Sequence, residues 1–238
     1  MTPIILVHGA WHGAWCWRKV LLELGRRGHD AIAIDLPGMG DDTTAPAEMS
    51  LDLWATRIGE ALRLAKGPSL LVGHSMGGMA ISQAAELNPD LIDGLVYLCA
   101  YLPQDGATLA GMAGAGSPGA SLVEAVFAED GATVGVADNC LRPAFYADCS
   151  DEDVAFAKAR LKPMGARPAL EPVHLTPERF GRVPRHYIEC LQDRAIPIEH
   201  QRVMAAASPC RSVHTLDTGH SPFFSAPAAL ADVLLGIA

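Results

Sequence analysis

Leu70-Leu71-Val72-Gly73-His74-Ser75-Met76-Gly77-Gly78-Met79-Ala80 carries an apolar run into Gly-x-Ser-x-Gly and then into a small-residue helical pattern. This is the sequence form of a nucleophile elbow, in which a strand passes through a very tight turn into a helix. The turn forces a strained backbone on Ser75. Side chains at Gly73 or Gly77 would collide with the neighbouring element. The hydroxyl of Ser75 is pushed out above the sheet, and the next helix aims its unpaired N–H groups and partial positive charge at the same spot.

The rest of the chain bounds what this stretch can serve. Its 238 residues suit one α/β domain with a large core. Half the residues are hydrophobic and 19% are charged, which marks a globular chain and not a disordered one. A net charge of −9 argues against a nucleic-acid groove and a basic membrane-binding face, and favours a neutral small-molecule substrate. Met1-Thr2-Pro3 leads straight into Ile4-Ile5-Leu6-Val7 with no basic start, and no run approaches a membrane span. The six cysteines are scattered and read as buried free thiols of a cytoplasmic protein. The nine histidines show no metal-ligand spacing, so no metal is expected.

In chain order, the β-branched run 3–7 reads as a buried strand, followed by the loop His8-Gly9-Ala10. Residues 17–27 read as an amphipathic helix, 30–35 as a strand, and Asp35 as a brace for the turn after it. Ser50 caps a helix Leu51–Leu64. A helix follows the elbow and Ile92–Leu98 is the next strand. From Tyr101 to about Arg182 the strand–helix alternation is lost, apart from a helix starting at Ser150. Residues 1–102 and 183–238 are therefore read as the core and 103–182 as a cap or lid. The alternation resumes with strands at 186–190 and 211–216, and a helix closes the chain. Trp11, Leu102, Phe127, Phe145, Met164 and Phe223 are the candidate pocket residues, with core packing as the alternative; Trp15 and Trp17 read as packing.

A serine hydroxyl is a poor nucleophile without a base in hydrogen-bond reach and an acid to orient that base. The chain order in this architecture is Ser, then Asp or Glu, then His. His220 lies in a Gly-flanked loop after the last strand, and the other histidines precede Ser75 or fall within the insertion, strands or a helix. Asp193 follows the preceding strand; Asp105 is its main rival and Asp217 a weaker one. The chemistry implied is two-step acyl transfer without a cofactor. Ser75 attacks a carbonyl, His220 takes its proton and Asp193 stabilises the imidazolium. The backbone N–H groups of Ala10 and Met76 hold the oxyanion, each worth about 2.7–4 kcal/mol.

On these residues the chain resembles the α/β-hydrolases over nearly its full length. More narrowly, residues 8–17, Gly73–Met79 and Tyr187–Pro197 are similar to the plant methylesterase and hydroxynitrile lyase branch and its bacterial esterase relatives. The resemblance implies an α/β fold with about six mostly parallel strands, helices on both faces and a small helical cap over Ser75. It also supports Asp193 as the acid. The lyases resembled carry a threonine in the first oxyanion loop and a lysine directly after the catalytic histidine; this chain has Gly9 and Ser221 there. Ester hydrolysis is therefore preferred over cyanohydrin cleavage. A cofactor-free C–C-cleaving enzyme and a non-catalytic ligand receptor stay open on the same fold. The expected partner is a small-molecule ester, with a homodimer left open.

Overall fold

Alternating residues of each central strand point to opposite faces, and both faces are covered. In the computed structural model, which describes residues 1–114 and 118–238, Ile4 and Leu6 enter one hydrophobic cluster while Ile5 and Val7 enter the other. That two-sided burial is why these strands read as continuous apolar runs. In chain order the strands are β1 (Ile4–Val7), β2 (Ala31–Ile34), β3 (Ser69–His74), β4 (Ile92–Leu98), β5 (Ala125–Phe127), β6 (Thr133–Val136), β7 (Met164–Gly165), β8 (Arg185–Cys190) and β9 (Ser212–Leu216).

Six of them form one parallel sheet in the order β2-β1-β3-β4-β8-β9. Helices α1 (Arg18–Arg26) and Pro227–Ile237 cover one face, with Val20, Leu24, Leu230 and Leu234 in the same cluster as Ile4 and Leu6. Helices α2 (Leu51–Leu64) and α3 (Gly77–Leu87), with Met204 of the helix Ile198–Ala207, cover the other. Full burial of a large apolar side chain such as Leu24 or Ile58 contributes about 1.5–3 kcal/mol. Ser50 accepts from the Leu53 N–H and caps α2 as the sequence suggests. Asp35 braces its turn by accepting from the N–H groups of Ala14 (2.6 Å) and Asp41 (3.0 Å).

Between β4 and β8 the structure departs from what the sequence pattern reveals. Residues 125–165 contain a three-stranded antiparallel sheet, β5-β6-β7, and the short helix Asp151–Lys158. The strands hold two to four residues each, and β5 is exposed along its length, so there is no alternation to read. The Ala/Gly-rich stretch 106–119 includes residues 115–117, which lie outside the described residues. Asp153 ties this segment to α1 through Arg18 (3.0 Å) and Lys19 (2.7 Å). Among the described residues, no helix is long and apolar enough to cross a membrane, and the six cysteines are free thiols.

Candidate active site

Ser75 sits at the carboxyl end of β3 with φ at +53°, a left-handed conformation that a β-carbon disfavours. The turn closes because its neighbours lack side chains. A Cβ on Gly73 would lie 2.8 Å from the Gly77 carbonyl, and one on Gly77 would lie 2.7 Å from the His8 carbonyl oxygen. Gly78 is equally constrained, because a Cβ there would run into the Tyr101 carbonyl oxygen. Trp11 and Cys99 are the other non-glycine residues with positive φ among the described residues, and both belong to the same neighbourhood.

His220 and Asp193 meet directly. His220 Nδ1 lies 2.7 Å from Asp193 Oδ2, both side chains are fully buried, and His220 Nε2 has no hydrogen-bond partner. Asp193 is held in place by four donors. Its Oδ1 accepts from the N–H groups of Ala195 (2.7 Å) and Ile196 (2.9 Å), and its Oδ2 accepts from His220 and from Gln201 Nε2 (3.1 Å). Gln201 is itself buried and also accepts from the Cys190 N–H, so it fixes the end of β8 and the carboxylate together. Asp105 is occupied elsewhere, accepting from the Leu175 N–H at 2.8 Å, and Asp217 accepts from Gln192 on the surface. Ser75 and His220 are not hydrogen-bonded to each other in this structure.

The loop after β1 is oriented by two buried imidazoles. His8 Nδ1 donates to the Gly9 carbonyl at 2.8 Å, and His8 Nε2 accepts from the Leu36 N–H at 3.1 Å. The second bond requires a lone pair on Nε2 and so assigns the Nδ1–H tautomer. A trans peptide plane points its N–H opposite to its carbonyl, so anchoring the Gly9 carbonyl fixes the direction of the Ala10 N–H. His12 repeats the device one residue on. Its Nδ1 donates to the Ala10 carbonyl (2.7 Å) and its Nε2 accepts from the Tyr146 hydroxyl (2.6 Å). Neither the Ala10 nor the Met76 N–H makes a hydrogen bond among the described residues. Burial, the largest cause, pushes His12 down to about 3, His74 well below its usual value and His8 below it too, so all three are neutral around pH 7. His74 Nε2 donates to the His220 carbonyl at 2.8 Å and supports the loop that carries that ring.

Ser75 opens onto a cavity of about 460 Å³. Of the expected pocket residues, Trp11, Phe127, Phe145 and Met164 line it, together with Ala10 and Met76. Leu102 and Phe223 do not. Leu102 is buried in the core on the α2–α3 side of the sheet, and Phe223 packs beneath His74 (5.0 Å between centroids) and against Trp17 (5.5 Å). Tyr101, Leu109, Leu170 and Ile196 are lining residues that the sequence did not single out. No described lining residue carries a charge. Trp11 is held in the wall by Nε1 donating to the Val134 carbonyl at 2.9 Å.

His74, Cys99 and His220 bring ligand-type atoms within 4.8 Å of one another. Nε2 of His74 and Nδ1 of His220 are already hydrogen-bonded, His74 Nδ1 and His220 Nε2 are not, and burial pushes the Cys99 thiol well up.

The model of the alpha/beta hydrolase family matches residues 4–233. Putative methylesterase 11, chloroplastic, of Arabidopsis thaliana is 34% identical over 246 residues, covering 98% of this chain; the chain spans 63% of that relative's length. A pyrethroid hydrolase of Sphingobium wenxiniae is 32% identical over 250 residues, which is 100% of this chain and 88% of that protein. Among solved structures, a tomato methylketone synthase I variant complexed with beta-ketoheptanoate superposes with a TM-score of 0.88 at 27% identity, covering 99% of this chain and 97% of that one.

Proposed function

Because the chain belongs to the alpha/beta hydrolase family, we propose that it is a carboxylesterase-type serine hydrolase acting on small, neutral, apolar esters. The observation that carries the reading is the elbow serine in the wall of an uncharged cavity, with a buried His220–Asp193 pair behind it. The methylesterase and pyrethroid hydrolase relatives support it.

Ser75 attacks the ester carbonyl. His220 donates Nδ1–H to Asp193, which leaves a lone pair on Nε2 to take the serine proton. The oxyanion is held by the N–H groups of Ala10 and Met76. The alcohol leaves with the proton from His220, and water repeats the cycle on the acyl-enzyme. The part of segment 103–182 that lines the cavity, with Leu109, Phe127, Phe145 and Met164, acts as its lid. A substrate bearing a carboxylate or ammonium within this cavity would lose hydration with no described partner, which costs several kcal/mol. The same lack of charge disfavours cyanohydrin cleavage, because no lysine or arginine is among the described lining residues to stabilise departing cyanide. The six free thiols suit a reducing compartment such as the cytoplasm.

The test is hydrolysis of p-nitrophenyl esters from acetate to decanoate, with Ser75→Ala as control and mandelonitrile cleavage alongside. Serine-dependent ester turnover is expected. Cyanide release without ester turnover, or ester turnover that survives Ser75→Ala, would overturn the proposal.

A further inference from the structure

At the opposite end of the sheet, the amino ends of β3, β4, β8 and β9 surround a second cavity of about 440 Å³. It is lined by His186, Arg211, Ser212 and His214, with Gly94 and Asp93 on the β4 side. His186 and Ser212 are register partners on β8 and β9. The Ser212 hydroxyl bridges two imidazoles, lying 2.7 Å from His186 Nδ1 and 2.8 Å from His214 Nε2. Gly94 keeps the wall beside His186 open; a Cβ there would be 3.7 Å from His186 Nε2.

The charged side chains lining this cavity are Arg211 and Asp93, one of each sign. Arg211 makes no side-chain hydrogen bond or ion pair among the described residues. Arg185 is turned away onto the carbonyls of Phe180, Gly181 and Val183, and Glu189, further along β8, is occupied by Arg202 and Thr215. Asp93 is the one carboxylate side chain among the described lining residues. His186 is held below its usual value by burial, by His214 and by Arg211, with no acidic group among the causes.

We infer that this cavity is a binding site for a tetrahedral oxyanion of the phosphate or sulfate class, separate from the ester site, whose occupancy is linked to the uptake of one proton. Arg211 supplies a planar two-pronged donor, which suits such oxygens. The proton count follows from the His186–Ser212–His214 bridge. Two neutral imidazoles and one hydroxyl bring three protons to it. Two of these occupy the two inner hydrogen bonds, so at most one outer ring nitrogen carries an N–H and at least one presents a lone pair. One added proton makes both outer nitrogens donors and leaves a positive charge beside Arg211.

Sulfate is the direct probe, because it stays dianionic across the range in which histidine titrates. Calorimetry in two buffers of different ionisation enthalpy, with NMR of the histidine ring protons, should show saturable binding that strengthens from about pH 8 to about pH 6 with close to one proton taken up. The His186 and His214 signals should shift with it. Arg211→Gln, at an exposed position, should weaken sulfate about tenfold and leave ester turnover unchanged. Ser212→Ala should remove the proton linkage. Phosphate and phenyl phosphate separate a free ion from an ester end group, and either binding there supports the site. Absence of saturable binding at tens of millimolar, an adventitious ion only, meaning binding unaffected by Arg211→Gln, or binding without proton uptake would each overturn the inference.

Discussion

Acidification from neutral pH should destabilise this protein well before its carboxylates titrate, through the histidines that hold the active-site loops. His12 is 2% exposed and burial holds it at about 3, whereas an unfolded histidine titrates near 6.5. Between those values the unfolded chain binds a proton that the native chain refuses, so stability falls as pH falls. At pH 5, about 1.5 pH units below the unfolded value, the His12 term alone amounts to about 2 kcal/mol. His8 and His74 are depressed in the same direction and add to it. Asp42, Asp153 and Glu189 are held below their usual values, so their contributions are lost only as pH falls below about 4 to 4.5. The assay is urea unfolding from pH 7 to pH 5 on the natural chain and on His12→Asn, which keeps a donor for the Ala10 carbonyl and removes the titrating ring. The variant should be less stable at pH 7 by about 1–3 kcal/mol, because the buried Tyr146 hydroxyl loses its acceptor, but flatter against pH by about one proton. An unchanged slope in His12→Asn would refute the assignment, and a flat profile for the natural chain would refute the account of all three rings.

Two further outcomes test the active site itself. Asp193→Asn should lower kcat by about four orders of magnitude, as the same change does in the Ser-His-Asp template, while Asp105→Asn, which loses only a contact to the Leu175 N–H, should leave it near the natural value. Steady-state kinetics on a p-nitrophenyl ester decides, and the reverse ranking would move the acid to the loop after β4. His8→Gln frees the Gly9 carbonyl and with it the direction of the Ala10 N–H, so kcat should fall about tenfold to a hundredfold with KM little changed. An unaltered kcat with an intact circular dichroism spectrum would remove His8 from the positioning of that donor.

What was legible in the sequence follows chain-local geometry. The elbow declares itself because the steric requirement at Gly73 and Gly77 falls within five residues, and the core strands do so because two-sided burial makes their apolar runs continuous. The sheet β5-β6-β7 does not, because strands this short and exposed leave no alternation. Leu102 and Phe223 lie away from the cavity for a related reason: nearness in sequence to the loops that carry Ser75 and His220 says nothing about the face onto which a side chain turns. Tyr146 and His12 are 134 residues apart, and no periodicity links them. Gln201 is different, because a signal for it did exist. A buried carboxylate needs its oxygens satisfied. In a loop of the form Asp-Arg-Ala-Ile, turn N–H groups serve one oxygen of Asp193 and the imidazole serves the other from one side. One acceptor position is left over, and the helix that begins five residues later is the nearest element able to supply a donor. Gln201 lies eight residues after Asp193, and its amide makes the missing bond at 3.1 Å.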